Sequence, residues 1–560
     1  MPTITISEHQ LNEAGFVARV TVDHQRQYEV TVSDPFDERE ERSLEFYFEE
    51  WIQFPFDERV RAERARDSVK AYGEALFAQV FRQDPDAYSD YREACRGGLT
   101  NLQIEIEGES PAFQALHWEA MKDPQQPRPF AVDTVFVRKR FQRGGLPVDL
   151  QPSPVINLLV VTARPDEEKD VGYRTISRPL IDAIERGRLR VNVELLRPGT
   201  FKALSEHLEG KAGFYHMVHF DAHGGLMSYA QFEAGAKNNR YLFQARYGRG
   251  DIAPYEGEKA FLFLEGATQG KADPVEAQEL ADLLTSQGTP ICILNACQSG
   301  KQASTTLSLR AGGEGGGEEE IEARETSLGS RLMTSGVQMV VAMGYSVTVS
   351  AAALMMEKLY GELFAERGIP EAIRLGRKAL YNDKNRRVYF NQVVDLEDWL
   401  LPVVYANRAV DLRLRAFTPQ EEEAYYDGED ARYRFASSAY GATFGFVGRD
   451  LEILKIEKAL LRHNVLLLQG MGGTGKTTLL NYLRDWWQRT NFAVDVFYFG
   501  YDEKAHTLQQ ILHEIGKRVL SKFEFASFGA MGQGAQRRKL AEVLRAKPTP
   551  VKVTLCTSRL

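Results

Sequence analysis

Cysteine is scarce: four in 560 residues, Cys95, Cys292, Cys297 and Cys556. That density is too low and too scattered for a secreted disulfide framework or a cysteine-built zinc site, and it predicts a reducing, cytoplasmic home. An excess of positive charge is lacking too. Lys plus Arg number 69 against 78 Asp plus Glu, a net charge of −9, so nothing in the balance draws nucleic acid or an anionic membrane surface. No run of about 18 apolar residues occurs, and the opening MPTITISEHQLNEAGF has no basic stretch followed by an apolar one. Neither a membrane span nor an export signal is therefore expected. What is present is an ordinary globular composition, 43% hydrophobic and 26% charged, which excludes a disordered or collagen-like chain. At roughly 100 to 200 residues per domain, the length calls for about three to five domains.

Residues 1–150 mix strand-like runs with amphipathic helices. Arg59 to Phe81 carries apolar residues at helical spacing, and Leu102 to Ile106 alternates as a strand does. Residues 151–415 read differently. The apolar runs VINLLVVTA (155–163), VNVELL (191–196), FYHMVHF (214–220), FLFL (261–264), ICILNA (291–296) and VQMVVAM (337–343) are separated by helical stretches. These include Pro179 to Arg186, Thr200 to Leu208, Ala272 to Ser286 and Ser350 to Phe364, a pattern that predicts an α/β core with a parallel-rich sheet flanked by helices. GGEGGGEEE (312–320) cannot bury enough surface to order itself and reads as a mobile loop. Residues 416–445 are acidic and Tyr-rich without sustained periodicity and read as a linker. A second α/β region follows at 446–560, with strands at VLLLQ (465–469) and VDVFYF (494–499) and helices at Lys476 to Gln488 and Leu508 to Lys522.

Two runs of the first core, HMVHFDAHGG and ICILNACQSG, end abruptly in small and polar residues. Side chains at such strand ends stand at the rim of a parallel sheet, beside free backbone N–H groups. A thiol of ordinary pKa is mostly protonated at neutral pH and needs an imidazole to become an effective nucleophile. His223 and Cys297 suit base and nucleophile, and the N–H groups of Gly224 and Cys297 suit an oxyanion. Asp221 reads equally as an orienter of the imidazole, a substrate contact or a solvated strand-end charge. His219 reads as a core or supporting residue, and Cys292 as inert filler.

At these residues the chain resembles the CHAT family, relatives of caspases and separase in the clan of Cys–His peptidases. HFDAHG and NACQSG match the family's histidine and cysteine strands. HWEAM (117–121) looks like its Trp–Glu segment, SLGSRLMTSGVQMVVAMGYSV (327–347) like the strand after the cysteine, and RLGRKAL with DWLLPVVY like its end. The resemblance spans most of residues 40–405. It implies a caspase-like fold, a catalytic pair of His223 and Cys297, a protein substrate and no metal or cofactor in the chemistry. Relatives that cleave after Arg or Lys often carry Asp two residues before the nucleophile; here Asn295 stands there, which argues against a basic P1 preference. The Gly/Glu loop, flanked by Arg310 and Arg324, falls where caspase relatives carry an activation linker, and is expected to gate the site or be cut.

GMGGTGKT, Gly470 to Thr477, meets the phosphate-loop pattern. Gly470, Gly472, Gly473, Thr474 and Gly475 would curl backbone N–H groups around phosphate. Lys476 would reach the β and γ oxygens, Thr477 would ligate Mg²⁺, and Thr478 would continue the site into a helix N-terminus. With FVGRD (446–450) this part resembles the STAND NTPases, which implies ATP or ADP with Mg²⁺ and a switch in oligomeric state or regulatory partner. Hydrolysis also needs a carboxylate ending a second apolar strand. After Asp502 only Glu503, Glu514, Glu524 and Glu542 remain, and none ends such a strand. VKVTLCTSR (551–559) looks like a later strand of these NTPases, so the module reads as partial and marginally stable, with negligible ATPase activity. The expectation is a cytoplasmic cysteine endopeptidase effector of prokaryotic signalling or defence, coupled to an incomplete nucleotide switch. The competing expectation is a nucleotide-binding scaffold whose CHAT part binds a protein partner without cutting it.

Overall fold

The computed structural model describes every residue except 13, 24, 141–149, 167–173, 175–176, 188, 239–241, 244–251, 267, 269, 296–327, 335, 346, 366, 389–391, 407–409, 434–445, 447, 494, 502–504, 547–550 and 557–560. Contacts divide the chain into two units. One comprises Met1–Asn192 and Leu196–Arg415, the other Ala416–Leu560 with Val193–Leu195.

The first unit opens with an antiparallel meander, β1 (Thr3–Asn12), β2 (Gly15–Val22) and β3 (Arg26–Val32), whose alternating apolar residues include the buried Ile4, Ile6, Ala18 and Val20. The helix Arg59–Phe81 packs across this sheet, and β4 (Gln103–Glu107) and β5 (Val135–Lys139) extend it in parallel. Next come β6 (Ile156–Thr162), β7 (Val191–Leu196) and β8 (Met217–Asp221). The chain then turns at Ala222 into β9 (His223–Ser228), β10 (Leu242–Phe243), β11 (Glu258–Glu265) and β12 (Lys271–Glu276). It returns through β13 (Ile291–Asn295) and β14 (Met339–Met343), makes the short ribbon β15 (Asn385–Arg387) and β16 (Val393–Asp395), and closes with β17 (Pro402–Ala406).

Eleven of these strands form one sheet in the order β3-β2-β1-β4-β5-β17-β14-β13-β8-β6-β7, so residues 1–150 and the later core share a continuous sheet. The pairs β6–β8, β8–β13 and β13–β14 are parallel, while β14–β17 is antiparallel. Alternation sorts the side chains of the central strands. Leu159, Val161, Val218, Phe220, Cys292, Leu294 and Val340 face a core filled by Leu204 and Leu208 of the helix Phe201–Glu209 and by Leu280 and Leu284 of the helix Ala277–Ser286. Each such Leu or Val contributes about 1.5 to 3 kcal/mol on burial. His219, on the alternate face, bonds Tyr360 of the helix Val349–Phe364, so both faces of the central strands are covered. The parallel-rich α/β sheet flanked by helices is thus the expected fold class.

The two halves of the sheet meet at β5–β17, where Arg138 is aligned with Tyr405. A buried ionic cluster fixes this joint. Arg138 grips Glu119 with two donors, Nε at 3.0 Å and Nη2, while Nη2 of Arg377 lies 3.7 Å from Glu119 and donates to the Pro402 carbonyl at 2.6 Å. The segments HWEAM, RLGRKAL and DWLLPVVY therefore converge on one structural knot.

Four expectations are corrected. FLFL does not continue the large sheet: β11 sits in a four-stranded sheet, β10-β12-β11-β9, antiparallel to both β9 and β12. The early turn at Ala222 takes β9 out of the main sheet, and β11 follows it. Residues 271–276 are strand rather than helix, because the helix starts only at Ala277, after Pro274. Within 416–445, residues Pro419–Tyr433 form a helix; Thr418 opens it, its N–H and hydroxyl donating to Glu421 and its oxygen accepting the Glu421 N–H.

In the second unit, β18 (Asp495–Gly500) pairs in parallel with β19 (Val551–Cys556). The helices Leu508–Val519, Lys522–Phe528 and Gln533–Arg545 bury Leu512, Ile515, Phe528 and Leu540 against Phe497 and Phe499. Residues 465–469 are not a strand: Val465 is 85% exposed and Leu467 73%, for no ladder partner pairs with them among the described residues.

Candidate active site and phosphate loop

The candidate peptidase site lies at the C-terminal ends of β6, β8 and β13. Register brings these ends level: Asn295 of β13 is the partner of Asp221 of β8, which is the partner of Thr162 of β6. His223 follows Asp221 by two residues as the first residue of β9, half-buried and aligned with Phe263 of β11. Gly224 aligns with Leu262 in the same pairing. Cys297, two residues past Asn295, lies outside the described residues, as do Arg310, Arg324 and the Gly/Glu loop 312–320.

Asp221 is buried rather than solvated. Its Oδ2 accepts from Nη2 of Arg164 at 2.7 Å, its Oδ1 accepts weakly from Nδ2 of Asn295 at 3.4 Å, and Nη1 of Arg164 donates to its carbonyl at 2.9 Å. Arg164, two residues beyond β6 and 3% exposed, thus ties the rim of β6 to that of β8, and Asn295 ties β13 to the same carboxylate. Glu265, the last residue of β11, accepts the Arg164 backbone N–H at 3.2 Å and links the small sheet to the same corner. The sequence reading missed Arg164. Its only signal is an arginine directly after an apolar strand, and nothing local says that its partner lies fifty-seven residues on.

The other candidates sort by burial. His219 has no exposure, and burial without a compensating charge pushes its imidazole down to about 3, so it stays neutral in the core, bonded through Nδ1 to Tyr360 at 2.8 Å. Cys292 is buried mid-strand in β13, and burial pushes its thiol up, away from thiolate chemistry. Burial also raises the Cys95 thiol.

A second polar cluster approaches the rim through Tyr345, two residues past β14. Tyr345 donates to Oε1 of Glu41 at 2.6 Å, while Nε2 of His117 lies 2.9 Å from Glu41 Oε2. Burial opposes the charged imidazole of His117, but Glu41 and then Asp34 outweigh it and raise its pKa. The first part of the chain is thereby wired to the strand beside β13.

At the candidate phosphate loop the backbone is left-handed at Gly473 (φ 78°) and Gly475 (φ 77°), conformations that glycine adopts without strain, and Lys476 begins the helix Lys476–Arg489. Nζ of Lys476 donates to the carbonyls of Gly470 at 2.7 Å and Met471 at 2.8 Å, and the Thr474 hydroxyl donates to Met471 at 2.9 Å. Arg449 of FVGRD donates to the Thr474 carbonyl, and Phe446 stacks on Tyr482 of that helix at 4.2 Å. Gly470, Gly472, Gly473, Thr474, Thr477 and Thr478 are exposed. The glycine turns and Lys476 fit a phosphate. Among the described residues no group of three or more His, Cys, Asp or Glu side chains could hold a metal ion.

The CHAT domain family model matches residues 70–431. The chain belongs to the CHAT-domain family. No curated protein matches it. Similar solved structures include two of the Saccharomyces cerevisiae separase–securin complex, each at TM-score 0.37 and 10% identity, covering 72% of this chain. The matched part spans 30% of that longer chain. No helix among the described residues is long and apolar enough to cross a membrane.

Proposed function

We propose that this CHAT protein is a cysteine endopeptidase in which His223 is the base and Cys297 the nucleophile. The observation that carries the reading is register: the partners Asp221 and Asn295 end neighbouring parallel strands, and His223 and Cys297 each follow by two residues. Asn295 ties the end of β13 to the Asp221 carboxylate of β8, which Arg164 in turn anchors to the end of β6. His223 takes the Cys297 proton, the thiolate attacks the scissile carbonyl carbon, and the oxyanion is received by the N–H groups of Gly224 and Cys297. Collapse breaks the C–N bond, the imidazolium protonates the leaving amine, and a water deprotonated by His223 then hydrolyses the thioester.

The second unit, on this reading, is a nucleotide-responsive switch of STAND type that binds ATP or ADP weakly and turns it over negligibly. Lys476 would exchange its carbonyl partners for phosphate oxygens, and Thr477 would hold Mg²⁺, the ion that screens phosphate charge. A protein substrate, a homo-oligomer or regulatory partner, and cytoplasmic signalling or defence in a prokaryote complete the proposal.

The test is a proteome-wide comparison of new protein termini made by the wild type and by Cys297→Ala. Termini that require Cys297 support the peptidase and reveal its specificity. If none appears, and Cys297 alkylates at pH 6 to 7 no faster than in His223→Ala, the non-proteolytic scaffold replaces it.

A further inference from the structure

Arg164 reaches both of the strands that fix where His223 stands. On the side from which the chain arrives, its Nη2 donates to Oδ2 of Asp221 at 2.7 Å and its Nη1 to the Asp221 carbonyl at 2.9 Å. That carbonyl also accepts the N–H of Ala163 at 3.0 Å, beyond the last paired residues of β6 and β8 and just before the turn at Ala222. A peptide unit is planar, so a guanidinium that grips both the carboxylate and the carbonyl of Asp221 sets the plane leading into Ala222 and then His223.

On the other side, His223 is aligned with Phe263 of β11, and Glu265 follows Phe263 by two residues. Oε1 of Glu265 accepts the backbone N–H of Arg164 at 3.2 Å, and the Glu265 N–H donates to the Gly199 carbonyl at 2.9 Å. One residue thus holds β8, which delivers His223, through its side chain, and β11, which pairs with His223, through its backbone. All three residues are buried: Arg164 is 3% exposed, Asp221 4% and Glu265 7%. Burying an ion pair is costly enough that apolar side chains of similar volume often serve stability as well. What the pair supplies beyond them is direction, a planar fork that meets its acceptors in one geometry.

We propose that Arg164 is a positioning residue of the candidate peptidase site, holding His223 where its imidazole can take the Cys297 proton. The inference rests on the peptidase reading and adds to it a residue that acts through Asp221 and Glu265.

Alkylation by iodoacetamide of the full chain at pH 6 to 7 tests it, because the rate reports thiolate and peptide mapping separates Cys297 from the buried Cys292. Arg164→Lys keeps the charge but loses the fork, and should slow Cys297 by about tenfold or more while Cys292 stays unreactive. Asp221→Asn should slow it comparably, and the two together no more than either alone, because they act as one unit. Glu265→Ala removes only the backbone arm and should slow it less. On any substrate identified with Cys297→Ala, Arg164→Lys should lower kcat while KM holds. A merely structural role has the opposite sign on the thiols: local opening would make Cys297 and Cys292 both react faster. If Arg164→Lys does not fold, Asp221→Asn, close to the native residue in shape, carries the same test. Unchanged or faster alkylation of Cys297 in these variants, or additive losses in the double variant, overturns the inference. A wild-type Cys297 that reacts no faster than in His223→Ala refutes the peptidase reading itself, and the positioning role falls with it.

Discussion

ICILN and VLLLQ are nearly interchangeable as sequences, each an apolar run ahead of a site, yet they meet opposite fates. In β13, Leu294 is fully buried, paired in parallel with β8 on one side and followed by β14 on the other. Before the phosphate loop, Leu467 is 73% exposed and unpaired among the described residues. Strand propensity is largely a measure of fit to a half-built pleated surface, so the same residues form a strand only where a neighbouring strand stands ready to pair with them. The candidate peptidase rim is consequently held by ladders and buried ion pairs. The candidate phosphate loop is held by its own carbonyls around Lys476 and by Arg449.

The largest test of that contrast is catalytic. His223→Ala should lower kcat/KM on any substrate identified with Cys297→Ala by about 10² to 10⁴-fold, measured by peptide hydrolysis. On the proposed reading of the second unit, ATP turnover should be negligible in the wild type and in Lys476→Ala alike; robust turnover lost in that variant would reverse that reading.

Next comes the joint between the sheet halves. Glu119→Gln leaves Arg138 and Arg377 buried without their carboxylate and should cost about 3 to 5 kcal/mol in urea unfolding. Burial opposes the charged form of Glu119, but Arg138 and then Arg377 outweigh it, so its folded pKa is lowered. A depressed carboxylate contributes stability above its unfolded pKa of about 4.3, lost as pH falls through the folded value. The wild type should therefore lose stability in acid more steeply than Glu119→Gln.

The two leucines compare directly. Leu294→Ala should cost about 2 to 5 kcal/mol, whereas Leu467→Ala should stay within about 0.5 kcal/mol. Equal costs would mean that VLLLQ is packed in solution.

The smallest effect is at His117. Its raised folded pKa gives stability that is fully present below the unfolded value of about 6.5 and lost as pH rises through the folded one. Thermal melts across that window should show the loss in wild type and its absence in Glu41→Gln, where the imidazole loses its main anionic neighbour.

Much of this was legible along the chain. Continuous apolar runs mark β6, β8, β13 and β14 as strands covered on both faces, the helix Arg59–Phe81 falls where its spacing predicts, and the position of His223 beyond an apolar strand follows from the abrupt change after Phe220. Two losses have one cause. FLFL was placed in the wrong sheet because pairing depends on the turn at Ala222, and Arg164 was missed because its partner is remote in sequence. In the acidic stretch after Thr418 a capping pair with Glu421 was enough to start a helix that composition concealed.

Local chemistry therefore fixed which segments could be strands, where a thiol and an imidazole could stand, and that Gly470 to Thr477 could curl around phosphate. Tertiary structure decided the rest: which runs found edges to pair with, and that Asp221 belongs to Arg164. Side-chain identity acts within a few residues, whereas edges and ion pairs exist only once distant strands are brought into register.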